Sequence, residues 1–170
     1  MRQWIVMGVA AMTLAGCIPP GRGPQGPAGP VPIEGDSITY ETSPCFGACP
    51  VYSVTVRPDG NGVFNGKRFT AVNGARAFTL TREQYDAFAT RLAPYIPQGG
   101  DARYAIGEAN CRNPATDMPS VDVIWTRAIG DRQHLHFYFG CDMEKNRAMR
   151  DALGHAPDAL PIAELIGARP

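Results

Sequence analysis

The sequence predicts an α+β fold: an antiparallel β-meander sheet packed by two main helices, in the order β-β-β-β-β-α-β-β-α, stapled by disulfides. Three observations point there. Period-two alternation recurs in short segments on both sides of the middle of the chain, one segment carries an apolar stripe at helical spacing, and four cysteines follow residue 17.

Ile38, Tyr40 and Thr42 alternate with Thr39 and Glu41, and Tyr52, Val54 and Val56 alternate with Ser53, Thr55 and Arg57, as half-buried strands do. Arg57-Pro58-Asp59-Gly60 fits a type I turn, so the second strand leads into a hairpin whose return strand holds Val63 and Phe64. A further strand is expected at residues 68 to 72, with Asn73-Gly74 as a primed turn into residues 77 to 80. Thr81 and Gln84 have the spacing of a capping box. Behind them Tyr85, Phe88, Leu92 and Tyr95 recur on one face, and Pro94 and Pro97 end the helix. That aromatic stripe reads as core.

Residues 98 to 118 read as a long irregular stretch holding Cys111. Val121, Val123 and Trp125, then Leu135, Phe137 and Phe139, mark two more strands joined around Gly130-Asp131. The last main helix is expected at residues 143 to 153, capped by Asp142 and followed by Gly154; a short terminal helix includes Ile162, Leu165 and Ile166.

The domain from 37 to 170 is preceded by two segments of a different kind. Residues 1 to 16 form a signal peptide with a positive start at Arg2 and an apolar run from Trp4 to Leu14, too short to cross a bilayer as a helix. Leu14-Ala15-Gly16-Cys17 resembles the lipobox of bacterial lipoproteins, which implies cleavage before Cys17 and acylation of that residue. Ile18 in the next position points by the same resemblance to the outer membrane, facing the periplasm. Residues 17 to 36 are dominated by Gly and Pro and offer little to pack, so they read as a tether. Extended at about 3 Å per residue, the tether spans roughly 40 to 60 Å.

Charge excludes several partners. The chain carries 16 Lys and Arg against 16 Asp and Glu, and loss of Arg2 with the leader leaves a net charge of −1. There is no basic stripe for nucleic acid and no acidic run for cation capture. The expected membrane contact is therefore the lipid anchor itself.

Cys45, Cys49, Cys111 and Cys141 read as a disulfide framework with three conceivable connectivities. Gly47 lets the short loop curl, which favours Cys45 with Cys49 and leaves Cys111 for Cys141. The run Pro44-Cys45-Phe46-Gly47-Ala48-Cys49-Pro50-Val51-Tyr52, the Asp59-Gly60 turn, Gly66-Lys67-Arg68-Phe69, the helix around Phe88 and the entry Thr116-Asp117-Met118-Pro119 resemble the exported bacterial family called domain of unknown function 6438. The resemblance covers about residues 37 to 155. It implies no activity, and Cys111 with Cys141 falls outside its pattern as a separate added bridge.

No Gly-x-Ser-x-Gly elbow, Walker loop or His-Glu-x-x-His motif occurs. The expectation is a membrane-anchored envelope lipoprotein of unknown activity that is not an enzyme: a binding or structural module with an envelope protein as partner and no cofactor. Two alternatives stand beside it. Cys45 and Cys49 suit a thiol-disulfide protein, although Pro50 and a strand follow them where a helix N-terminus would lower a thiol pKa. His134 and His136 share a strand face and suit a metal-binding protein, with His155 or Cys141 as further ligands. Zinc needs three or four ligands and the rest are not evident, so a solvated strand face accounts for the pair.

Overall fold

The computed structural model describes residues 35–168, which lie in one compact unit. Cys17, the leader and most of the Gly/Pro segment lie outside the described residues. The α+β class holds. Seven strands form one sheet: β1 (Ser37–Thr42), β2 (Val51–Val56), β3 (Asn61–Arg68), β4 (Gly74–Thr79), β5 (Asp101–Tyr104), β6 (Ser120–Thr126) and β7 (Arg132–Tyr138). Helices α1 (Arg82–Leu92), α2 (Arg147–His155) and α3 (Ala163–Ile166) complete the fold, with short 3-10 turns after α1 and α2.

The spatial order is β4-β3-β2-β1-β6-β7-β5. The first four strands make the expected antiparallel meander, and β6 then pairs with the free side of β1. Alternation sends Ile38, Tyr40, Val54, Val56, Phe64, Val121, Val123, Trp125, Leu135 and Phe137 to one face, where Phe88, Leu92, Leu153 and Ile162 of the helical layer cover them. The side chains between them form the opposite, polar face.

Local signals hold where a nearby partner enforces them. Gln84 N–H donates to the Thr81 hydroxyl at 3.2 Å, and Thr81 N–H donates to the Gln84 side chain at 2.9 Å, completing the capping box. At the β2–β3 turn Gly60 N–H reaches the Arg57 carbonyl at 3.1 Å. Asp59 accepts from Asn61 N–H at 3.0 Å, and that bond is the main cause holding its carboxyl below the ordinary value.

Three expectations are corrected. There is no strand at residues 68 to 72: β3 ends at Arg68, residues 69 to 73 make the reversal, and Gly74 already opens β4. Ala71 and Val72 donate instead to the carbonyls of Ile166 and Leu165 at 3.0 and 3.2 Å, so this loop is held by the C-terminal segment. Residues 98 to 118 are not wholly irregular, because Asp101–Tyr104 pairs in parallel with β7 and Tyr104 packs on Phe137 at 5.7 Å. The sheet is thus mixed at one edge, with four strands before α1 and three after it.

The third correction concerns α2, which starts at Arg147 and keeps Gly154 inside it. Asp142 does not cap it. Its backbone is left-handed (φ 37°), and its carboxylate accepts from the N–H groups of Arg112 and Asn113 at 3.0 and 2.8 Å. Asn146 precedes the helix and donates to the Cys141 carbonyl at 2.9 Å.

Gly66 has a steric reason to lack a side chain, since a Cβ there would stand 1.8 Å from the Val72 carbonyl oxygen. Gly66→Ala is expected to destabilise the domain by about 2 kcal/mol or more, because backbone on the far side must move. Urea unfolding checks this. The Arg112 N–H, then the Asn113 N–H, holds the Asp142 carboxyl below its ordinary value of 3.8. Its contribution is therefore present above that value and lost as pH falls through the lowered one. The melting temperature of Asp142→Asn should lie below that of the parent above pH 4, with the gap closing as pH falls below 3.8; thermal scans across acid pH measure it.

Candidate functional site

Both favoured cysteine pairs are bonded, Cys45 to Cys49 with Cα atoms 5.8 Å apart and Cys111 to Cys141 with Cα atoms 4.8 Å apart. Gly47 turns the short loop in the left-handed region at φ 142°. Phe46 is carried at the tip, 87 % exposed, while its N–H reaches the Asp117 carbonyl at 3.4 Å. The loop joins the end of β1 to the start of β2. Cys141 follows the end of β7, which runs in the same direction as β1, so both bridges gather at one end of the sheet.

A cleft of about 260 Å³ opens at this end, lined by Tyr40, Cys49, Pro50, Tyr52, Met118 and Phe139 among others. Its wall is mainly apolar. The Thr42 hydroxyl at its edge is engaged, donating to the Pro50 carbonyl at 2.9 Å and accepting from Tyr52 N–H at 3.0 Å. Such a cleft can receive an apolar group. A second, wider cleft of about 530 Å³ lies between α1 and the ends of β1 and β6, with Tyr85, Ile96, Gln98, Trp125 and Gln133 in its lining. Burial, helped by the negative charge of Asp36, raises the pKa of the Tyr85 hydroxyl there.

Neither Cys45 nor Cys49 stands at a helix N-terminus, since Val51 opens a strand. That removes the usual means of making one of them a good thiolate.

The histidines are more informative. His134 Nε2 lies 2.7 Å and His136 Nδ1 2.9 Å from the same Asp122 Oδ1, and His134 Nδ1 lies 3.3 Å from Asp101 Oδ1. Register explains the meeting: His136 is opposite Asp122, and His134 is opposite Ile124 on one side and Asp101 on the other. His155 is not brought here. It pairs with Asp158 at 2.9 Å at the end of α2, and Cys141 is spent in its disulfide. Asp122 and Asp101 were missed as site residues because a spacing pattern along one strand says nothing about its neighbours.

The family model for a domain of unknown function (DUF6438) matches residues 36–157. The chain belongs to this family. No curated protein matches it. The DUF6438 span runs from just before β1 to just past α2, so it contains both disulfides and the histidine cluster and leaves α3 outside.

The bridges differ in access, Cys45 and Cys49 being partly exposed and Cys111 and Cys141 buried. Under a mild thiol reductant Cys45–Cys49 should open first, with Cys111–Cys141 surviving until the domain unfolds. Alkylation at timed intervals followed by mass spectrometry reads the order; the reverse order would contradict the burial argument.

Proposed function

We propose that this DUF6438 protein is a lipoprotein of the bacterial cell envelope, acylated at Cys17 and tethered by residues 18 to 36, with the domain serving as a binding or structural module. The reading continues to the outer membrane, with the domain facing the periplasm. The observation that carries it is the string Leu14-Ala15-Gly16-Cys17 at the end of an apolar run. A second observation supports it: every cysteine of the described domain is disulfide-bonded, which suits an oxidising compartment. The apolar cleft beside the Cys45–Cys49 loop offers a partner a place for an apolar side chain. The reading is non-enzymatic.

Several acyl chains hold a membrane far more durably than one, at about 0.8 kcal/mol per buried methylene. Cys17→Ala should therefore move the protein from the membrane fraction to the soluble periplasmic fraction while leaving its thermal unfolding unchanged. Fractionation with mass spectrometry of the N-terminus tests this. A Cys17→Ala protein still recovered wholly with the outer membrane would sink the lipoprotein reading.

A further inference from the structure

We propose that the free edge of β4 is an interface at which two copies of this chain pair antiparallel about a two-fold axis through Ala77, so that their sheets continue into one. This goes beyond the anchored-module reading and does not depend on Cys17.

The hydrogen-bond phase of the sheet decides which backbone groups are free. Leu80 N–H donates to the Gly60 carbonyl at 3.0 Å, and continuing the β3–β4 register sets these two residues opposite one another. Bonding in an antiparallel ladder alternates, so Phe78, Arg76 and Gly74 also turn their N–H and C=O groups toward β3. The other side of β3 gives the same phase: Arg57 N–H donates to the Asn61 carbonyl at 3.0 Å, which turns Asn61, Val63 and Asn65 toward β2. Ala75, Ala77 and Thr79 therefore point their backbone groups away from the sheet. Among the described residues only the Arg76 guanidinium meets them, donating to the Ala75 carbonyl at 2.9 Å.

The two edges of the sheet are finished differently. At the β5 edge the Asn110 side chain donates to the Arg103 carbonyl at 2.8 Å, so residues following β5 close it. β4 has no such cover. Five of its six residues are exposed, it contains no proline, and its outward row carries nothing larger than Thr79. An uncovered row of this kind is a template for another strand.

Self-complementarity favours a second copy as that strand. Only residues with outward groups can bond across the seam, so an antiparallel copy can centre on Arg76, Ala77 or Phe78. Centring on Arg76 sets that charge directly against itself, which is destabilising. Centring on Phe78 sets it against the buried Leu80. Centring on Ala77 sets Ala75 opposite the partner's Thr79, Ala77 opposite the partner's Ala77, and Arg76 opposite the partner's Phe78. That last pair is a non-hydrogen-bonded one, whose Cα atoms approach to about 4.5 Å and bring the side chains together. Phe78 is half-buried, with its ring resting over Gly62, where a Cβ would stand 2.3 Å from it. A guanidinium over an aromatic ring is attractive. In this register the N–H of the partner's Thr79 takes over the Ala75 carbonyl, which releases the Arg76 guanidinium to the ring.

The test uses the full-length chain carrying Cys17→Ala, so that neither acylation nor a free thiol joins copies. Sedimentation velocity from about 10 μM to about 1 mM covers the range of weak, small interfaces, and a monomer–dimer equilibrium is expected within it. Amide hydrogen exchange read by NMR should show Ala75, Ala77 and Thr79 slowing as concentration rises, while the Arg76 and Phe78 amides, bonded to β3, stay slow throughout. Ala77→Pro deletes an N–H that the domain itself does not use, and proline is tolerated at an edge facing outward. It should fold, by circular dichroism, and dimerise at least about tenfold more weakly, because two hydrogen bonds across the axis are lost. Arg76→Ala separates this seam from an edge that the charge only guards: guarding predicts tighter association on its loss, whereas the seam loses two Arg–Phe contacts and about fivefold or more in affinity. A monomer at about 1 mM, protection of Ala75, Ala77 and Thr79 that does not change with concentration, a folded Ala77→Pro that dimerises as the parent does, or tighter association of Arg76→Ala would each overturn the proposal.

Discussion

The pairing of β1 on both of its edges is the constraint on which the remainder depends. Ile38 stands opposite Val56 on one side and Trp125 on the other, and Tyr40 opposite Val54 and Val123. The six residues of β1, Ser37–Thr42, are what join the β2–β4 meander to the ribbon of β5, β6 and β7. A slip of one residue would turn Ile38 and Tyr40 onto the polar face and push Thr39 and Glu41 into the core. The helical layer is tied to the same register, because the Tyr40 hydroxyl donates to the Leu153 carbonyl of α2 at 2.9 Å in a buried site.

The covalent bridges act where that hydrogen-bonded frame gives out. The segment from β5 to β6 has few buried side chains of its own, Ala105 and Cys111 being its buried apolar residues. In the chain-entropy account the Cys111–Cys141 bridge, with its separation of 30 residues, restrains the unfolded chain by about 4 kcal/mol, and the Cys45–Cys49 bridge, with a separation of 4, by about 2. The long bridge staples this segment to the end of β7, and Asp142 beside it fastens the Arg112 and Asn113 backbone. The short one fixes the shape of a loop that rims the apolar cleft.

How much of this was legible depends on where the deciding partner lies in the sequence. The Thr81–Gln84 cap, the Arg57–Gly60 turn and the Cys45–Cys49 loop are decided within five residues, and each is found as expected. The strand expected at residues 68 to 72 is lost to carbonyls nearly a hundred residues away in α3, and the start of α2 is displaced because the Asp142 carboxylate serves backbone thirty residues upstream. A short edge strand such as Asp101–Tyr104 has too few residues to show a period. For the site, His134 and His136 were visible as a same-face pair. Asp122 and Asp101 became partners only through the β5–β7–β6 register, and no local pattern carries register between strands.

The two faces of the sheet answer to different requirements. The helix-side face is close-packed and apolar, and its burial drives folding. On the other face Thr39 pairs with Thr55 at 2.9 Å, Glu41 with Lys67, and Asp122 with two imidazoles. Surface ion pairs contribute about 0 to 1 kcal/mol, and half-buried ones still lose most of their attraction to desolvation. β-Branched or aromatic residues at positions 122, 134 and 136 would suit the strands at least as well. With the N–H of His134 on Nε2 and that of His136 on Nδ1, both imidazoles donate to the one Asp122 oxygen, so this polar face is satisfied by hydrogen bonds across the β6–β7 register and adds specificity of pairing more than folding free energy.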